Sequence, residues 1–231
     1  MKLRALLLAA CLSASCHQAQ AVDLEAAIGR SAFCCLQDGV WWQSPFGFNG
    51  DTRVASWELG ARQRFGHWGM HAAYSDLGTV KGDNLATMRD ADFNNFNTTA
   101  NCNQATQHNC LGYFRTRQHV KGVMAGGSYQ FTVKGFGIEP EAGKFFYRSD
   151  FEVAIWCPTC GTFPTGEQRD ERSMSGIRRS TYLALKVSKG NVFLSIRRFS
   201  NIDGSGDISK GEFATGLTSG PVNQIMLGVT L

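Results

Sequence analysis

The sequence lacks the features of helical membrane proteins and of nucleic-acid-binding proteins. Past residue 21 it has no apolar stretch long enough for a transmembrane helix and no segment with 3.6-residue hydrophobic periodicity. It has no basic run, and its formal net charge is only +4. Nucleic acid is therefore not an expected partner, and entry of the mature chain into a membrane would require a closed β-barrel.

The first 21 residues have the pattern of a secretory signal peptide. Lys2 and Arg4 precede a short apolar stretch, and Ala19-Gln20-Ala21 offers the small residues that a signal peptidase reads. We expect residues 1–21 to be removed and residues 22–231 to form one domain. A lipoprotein site at Leu8–Cys11 is the alternative, although cleavage there would leave an unusually short apolar core.

Six cysteines follow the leader, and their even number after a secretory signal predicts disulfides in an oxidising compartment. They are Cys34, Cys35, Cys102, Cys110, Cys157 and Cys160. Six cysteines allow about 15 pairings, among which the sequence does not choose. The C-x-x-C at 157–160 lacks the strand-helix-strand setting of a redox motif, and the other spacings do not suit zinc. We therefore expect structural disulfides in loops.

Segments with period-2 alternation, rich in aromatic and β-branched residues, indicate an all-β chain. The predicted strands are residues 23–33, 55–65, 68–78, 119–132, 136–150, 177–188, 191–200 and 221–231. Their connections alternate between short and long. Turns at Gly66-His67, Lys134-Gly135 and Lys189-Gly190 are short, whereas the other four connections are long and contain every retained cysteine.

Along these strands, one face is apolar and the other collects charges of both signs. The charged face comprises Glu25, Glu58, Arg62, Arg64, His71, Glu139, Glu141, Lys186 and Arg197. An eight-stranded barrel is filled by side chains, so buried charges are tolerable there only as satisfied pairs. A lipid-facing exterior around a paired, charged interior explains this pattern, and a soluble barrel would invert it.

With an even number of strands, short turns on one side and long loops on the other, the chain resembles the OmpA-like family of small outer-membrane β-barrels. "HAAYSDLGT" at 71–79 is similar to a barrel strand that leaves the membrane at an aromatic belt. The terminal "IMLGVTL" is similar to the last strand of such barrels, although it ends in Leu231 rather than an aromatic residue. The resemblance implies an eight-stranded antiparallel up-and-down transmembrane barrel with short periplasmic turns and long extracellular loops.

Arg198-Phe199-Ser200 also resembles the His-x-Ser segment of outer-membrane lipid A deacylases, in which case Ser200 matches the nucleophile. Arg198 stands where the histidine belongs, and a protonated guanidinium cannot accept the serine proton. A hydrolase would therefore need a relocated base, such as His71 or His119. We expect no enzymatic activity from this segment.

A second rival is a secreted lipocalin-like carrier, because Gly39-Val40-Trp41 is similar to the G-x-W of that class. Such a carrier needs an apolar interior. The charges at Glu58, Arg62, Glu139 and Glu141 would then face solvent.

Residues 201–213, "NIDGSGDISKGEF", have the spacing of an EF-hand loop. The candidate Ca²⁺ ligands are Asn201, Asp203, Ser205, Asp207 and Glu212. Strand-like chain precedes the segment and coil follows it, so the flanking helices of an EF-hand are missing. We interpret the segment as a hairpin loop, with weak calcium binding as the alternative.

Function in such a barrel is expected to reside in the loops, as surface recognition, adhesion or an envelope-structural role rather than a wide pore. The expected location is the bacterial outer membrane with the loops outside. The expected partners are outer-membrane lipid and lipopolysaccharide, the barrel-assembly machinery and an extracellular protein or surface ligand. Calcium is the one cofactor that the sequence suggests.

Overall fold

A computed structural model describes residues 22–34, 49–88, 110–156, 168–173, 176–203 and 219–231. Throughout these ranges the regular elements are β-strands, and no helix there is long and apolar enough to cross a membrane. The predicted signal peptide, the lipoprotein site at Cys11 and the G-x-W segment lie outside the described residues.

The described chain folds into a closed antiparallel barrel of eight strands. In chain order the strand segments of the described residues are β1 (Asp23–Phe33), β2 (Asn49–Asp51), β3 (Arg53–Phe65), β4 (Trp68–Met88), β5 (Cys110–Tyr129), β6 (Phe131–Val133), β7 (Phe136–Trp156), β8 (Gln168–Ser173), β9 (Arg178–Lys189), β10 (Val192–Asp203) and β11 (Ser219–Thr230). Of these, β2, β6 and β8 are short segments that pair with β4 or β7, and the other eight form the barrel. The barrel runs β4-β3-β1-β11-β10-β9-β7-β5, and pairing of β4 with β5 closes it. The predicted fold class is confirmed.

Three tight turns form one end of the barrel. Lys134 and Gly135 both have positive φ, which is the backbone of the type I′ turns that match strand twist. Gly66 and Gly190 also have positive φ, at the other two turns. The third turn is Gly190-Asn191 rather than the predicted Lys189-Gly190, because Lys189 still pairs with Val192 in the β9–β10 ladder.

Three neighbouring strands are much longer than the others. β4, β5 and β7 contain 21, 20 and 21 residues, whereas β1, β3, β9, β10 and β11 contain 11 to 13. A transmembrane strand needs only about 9–11 residues. The three long strands therefore extend the wall by about ten residues at the end opposite the turns. We call this extension, with β2 on β4 and β8 on β7, the tall wall.

Two irregularities interrupt the strand ladders toward the outer end, and the first lies where the tall wall begins. The β4–β5 register shifts between Asp76 and Gly78, and Gly78 has a φ of 93°. A Cβ at Gly78 would lie 2.2 Å from the Ala55 carbonyl oxygen, so a larger residue there would clash with β3. The β10–β11 register shifts between Phe199 and Ile202. Both shifts change which residues face inward.

Away from these two shifts, side chains alternate between the two sides of the wall. Large apolar residues on the outside remain exposed, including Ile28 at 71%, Leu183 at 69% and Trp68 at 65%. Charged residues such as Glu58 and Arg62 face inward and are buried. The barrel is thus apolar outside and charged inside, which inverts the arrangement of a water-soluble protein.

Candidate functional site

The interior near the turns is organised around the Arg62 guanidinium. It donates to Glu25 at 2.9 Å, to Glu139 at 2.7 Å and to Glu141 at 2.8 Å, from three different nitrogens. Lys186 on the facing wall donates to Glu25 at 2.5 Å. The planar fork of arginine suits this role, because it presents several donors in fixed directions. One side chain thereby links β1, β3 and β7 across the lumen.

The two acceptors on β7 have further partners. Glu141 accepts from the Tyr182 hydroxyl at 2.6 Å and lies 3.0 Å from His71 Nδ1. Glu139 accepts from the Ser128 hydroxyl. Such additional hydrogen bonds satisfy the remaining lone pairs, which a buried carboxylate requires. The network therefore includes neutral side chains, of which Ser128 was not predicted from the sequence.

A second group lies around Arg197 on β10. Its Nη1 donates to Glu58 at 2.5 Å and to the Gln224 side-chain oxygen at 2.8 Å. The remaining predicted cation, Arg64, is nearer the turns, where it pairs with Asp23 and lies 3.7 Å from Glu139. Arg64 has 28% of its side chain exposed, whereas the other eight predicted residues are buried.

The structure thus brings all nine predicted interior residues together inside one barrel. Four carboxylates face the cations Arg62, Arg64, Lys186 and Arg197, with His71 among them. Because these side chains cross the lumen and contact each other, the space they fill cannot conduct as a wide channel.

Toward the outer end, the interior is mostly apolar and aromatic. Phe145 packs on Phe199 with ring centroids 5.0 Å apart and on Tyr147 at 5.5 Å. Leu77 and Val80 flank the Asp76/Gly78 shift, and both are fully buried. The sequence analysis did not identify this apolar layer.

At the base of the tall wall the outer surface carries two ion pairs. His119 Nε2 lies 2.8 Å from an Asp76 carboxylate oxygen, and Lys121 lies 3.0 Å from Asp150. Partial burial raises the pKa of the Asp76 carboxyl, but hydrogen bonds from His119 and the Gly78 amide outweigh it and hold that pKa below its ordinary value. Hydrogen bonding to Asp150 raises the pKa of Lys121.

Ser200, the serine matched to the deacylase nucleophile, is exposed on the outer face of β10. Its Oγ lies 2.6 Å from Thr181 Oγ1 and 3.3 Å from Ser180 Oγ. His71 lies on the opposite, inner face of the wall. His119 is on β5, which β7 and β9 separate from β10, a distance of about 14 Å at the usual strand spacing. Neither proposed base is within hydrogen-bonding reach of the serine.

The segment with EF-hand spacing begins inside a strand. β10 continues through Asp203, whose carboxylate pairs with Arg178 and whose amide donates to Tyr147 Oη at 2.9 Å. Ser205, Asp207 and Glu212 lie outside the described residues. Calcium binding stays a prediction. It would require the Asp203 carboxylate to leave Arg178 and bind the ion.

The cysteine predictions fall largely outside the described chain. Cys34 follows β1, and its amide donates to the Pro221 carbonyl at 3.2 Å, while Cys110 begins β5 rather than standing in a loop. The other four cysteines lie in segments that the structure does not describe. The disulfide pairing therefore stays a prediction.

The interior also bears on the lipocalin-like alternative. Glu58, Arg62, Glu139 and Glu141 are 6%, 2%, 2% and 5% exposed, so they do not face solvent as that alternative requires. The lumen near the turns is neither apolar nor empty. This part of the lumen therefore lacks the apolar cavity that a carried ligand would need.

Comparisons with known proteins assign no family. No protein-family model matches the chain, and no curated protein matches it. Among solved structures, it is similar to the crystal structure of Neisserial surface protein A (NspA). The two share 12% sequence identity and a TM-score of 0.41, over 91% of this chain and 94% of that chain. This likeness carries no functional argument, and the resemblance to OmpA-like barrels stays a resemblance.

Proposed function

We propose that this chain is an integral protein of a bacterial outer membrane, with the tight turns in the periplasm and the tall wall outside the cell. The supporting observation is the inverted distribution of side chains. Exposed Ile28, Leu183 and Leu227 suit contact with lipid, whereas Arg62 and Glu141 are buried and paired. Exposed to water, a continuous apolar belt of this kind would promote aggregation.

The tall wall is the part that we propose carries the function, as a surface for recognition or adhesion. β4, β5 and β7 continue beyond the length needed to cross a bilayer, and β2 and β8 widen the sheet at its edges. A sheet holds its outward side chains in fixed positions, which favours binding to a protein or glycan. Wide-pore transport is not proposed, because paired side chains cross the lumen.

Cell fractionation tests the membrane location. We expect the chain in the outer-membrane fraction, and we expect the unboiled protein to migrate differently from the boiled protein on SDS gels. A tag inserted at Gly190-Asn191 should be inaccessible to antibody in intact cells, whereas the same tag within residues 204–218 should be accessible. Recovery of the chain in the soluble fraction, without a heat-dependent shift, would contradict the proposal.

Attachment of cells tests the role of the tall wall. A non-adherent bacterium that expresses the full chain should bind to epithelial cell layers more than the empty host does. Replacing residues 82–116, which include the outer parts of β4 and β5, with a short Gly-Ser linker should remove the gain while the heat-dependent gel shift persists. Equal attachment by host and expressing strain would argue against adhesion.

A further inference from the structure

Among the described residues, three cations on adjacent strands of the outer wall lack a charged partner, as do Arg30, Lys81 and Arg148 on the same face. Lys144 on β7, Arg179 on β9 and Arg198 on β10 are all exposed on the outer face. Within the described part of the chain, none of the three side chains makes an ion pair. On the β4–β5 side, Asp76, Asp150 and Glu152 pair with His119, Lys121 and Arg117.

Two of these cations lie within the apolar surface rather than beyond it. Phe146, two residues farther from the turns than Lys144, is 44% exposed on the same face. Ile177, two residues farther out than Arg179, is 65% exposed. A lysine or arginine on the lipid-facing side of a barrel is destabilising to an extent that depends on its depth. An anionic partner from the lipid itself would offset that cost.

The strand register gathers the three cations around a pair of hydroxyls. Lys144 stands directly opposite Thr181 in the β7–β9 ladder, and Thr181 Oγ1 lies 2.6 Å from Ser200 Oγ. Arg179 is two residues beyond Thr181 along β9, and Arg198 is two residues before Ser200 along β10. Residues two apart on a strand are about 7 Å apart, within the reach of an arginine side chain. We call these five residues the cationic patch.

A groove runs from the patch toward the outer rim. Its volume is about 750 Å³, and Phe146 and Ile177 give it apolar walls beside Arg179 and Asn201. The Arg178–Asp203 pair also lines it. The groove therefore places apolar surface next to Arg179 of the patch, an arrangement that suits a lipid with an anionic headgroup and apolar chains.

The chemistry of the patch selects for phosphate. Arginine binds phosphate oxygens through two parallel hydrogen bonds, and lysine and hydroxyl groups add further donors. Among the described residues near the patch on β7, β9 and β10, the carboxylates of Asp150, Glu152 and Asp203 are each paired with another cation, namely Lys121, Arg117 and Arg178. We propose that the cationic patch binds the phosphorylated headgroup of a lipid in the outer leaflet. This inference rests on the membrane location proposed above.

Binding of a phosphorylated lipid to the folded full chain tests the assignment. The probes are a fluorescent diglucosamine lipid with two phosphates and the same lipid without phosphates, each titrated in a neutral detergent. The test variant is Lys144→Gln/Arg179→Gln/Arg198→Gln. The matched control, Lys81→Gln/Lys134→Gln/Lys189→Gln, removes the same charge from exposed positions elsewhere.

The wild type should bind the phosphorylated lipid at least tenfold more tightly than the phosphate-free lipid. The test variant should lose that preference and the control variant should keep it. Equal affinity for both lipids, or an unchanged preference in the test variant, would overturn the proposal. Displacement by millimolar inorganic phosphate as effective as that by unlabelled lipid would also overturn it, in favour of an ion site.

The heat-dependent gel shift separates the two proposals. A chain that shows no shift and stays soluble contradicts the membrane location itself. A chain that shows the gel shift but binds both lipids equally contradicts only the proposal that the cationic patch binds lipid phosphates. Each variant is used only after it shows the wild-type shift.

Discussion

Near the turns, the barrel interior holds charged side chains, whereas toward the outer end it holds mostly apolar and aromatic ones. Arg62, with its three carboxylate partners, represents the first region. Phe145 and Phe199, packed at 5.0 Å, represent the second. Arg197 lies at the boundary, with its guanidinium carbon 5.3 Å from the Tyr182 ring centre and 6.0 Å from that of Phe199.

The two regions fill the same cylinder by different physical means. Apolar packing is non-directional, so the aromatic region depends on volume and tolerates similar shapes. A buried ion network depends on partners in fixed directions, and loss of one partner leaves the others desolvated and uncompensated. The charged region should therefore be sensitive to the loss of a single group, and the apolar region to the loss of volume.

Removal of Arg62 should have the largest effect. Arg62→Met keeps much of the side-chain volume but leaves Glu25, Glu139 and Glu141 without their shared cation. Loss of one partner from a buried pair costs about 3–5 kcal/mol, and with three carboxylates affected we expect a loss at or above the top of that range. Urea unfolding of the protein refolded in lipid vesicles measures it.

Arg64→Met is the matched control for Arg62→Met. Arg64 is partly exposed, and water screens its pair with Asp23, so its removal should cost no more than about 1 kcal/mol. Equal losses for the two variants would show that the charged region does not depend on the Arg62 hub.

Arg197→Met should lower the free energy of unfolding by about 3–5 kcal/mol, because it leaves Glu58 buried without its cation. The double variant Arg197→Met/Glu58→Leu removes both charges and should recover most of that loss, since apolar replacement of a complete buried pair is often neutral or stabilising. The same urea titration distinguishes the two. A double variant as unstable as the single one would mean that the pair itself contributes strongly.

Phe199→Ala tests the apolar region. Phe199 is fully buried against Phe145, and truncation of a buried phenylalanine costs about 3 kcal/mol or somewhat more through the cavity it leaves. Phe199→Leu retains most of the volume and should cost less than about 1.5 kcal/mol. A leucine variant as destabilised as the alanine variant would show that this region depends on aromatic geometry rather than volume.

The charged region was predictable because alternation along regular strands fixes which residues share a face. Glu58 and Arg62, four residues apart on β3, face the same side whatever the exact register, and the need to pair them places them inside. Their individual partners were not predictable, since Arg62 reaches residues 77 and 79 positions away in sequence. A neutral partner such as Ser128 carries no charge pattern that would reveal it.

The outer half was less predictable because its alternation is interrupted. The shift at Asp76/Gly78 brings Leu77 and Val80 both inside, although they are three positions apart and a regular strand would place them on opposite faces. Beyond that shift β4 reads "KGDNLATM", without a polar-apolar alternation, so the predicted strand ended at residue 78 instead of 88. Because the alternation is lost there, the sequence analysis did not predict the tall wall.

The smallest expected effect concerns the ion pair at the base of the tall wall. The pKa of Asp76 is below its unfolded value, so its pairing with His119 stabilises the fold above the unfolded pKa of about 4 and is lost as pH falls through the lower, folded value. Between pH 6 and pH 3, the wild type should lose about 1 kcal/mol more than Asp76→Asn does. Asp150→Asn, at the more exposed pair with Lys121, should differ less from wild type. If Asp76→Asn and wild type lose stability in parallel across this range, the carboxylate does not anchor the bulge, and backbone geometry at Gly78 alone holds the start of the wall.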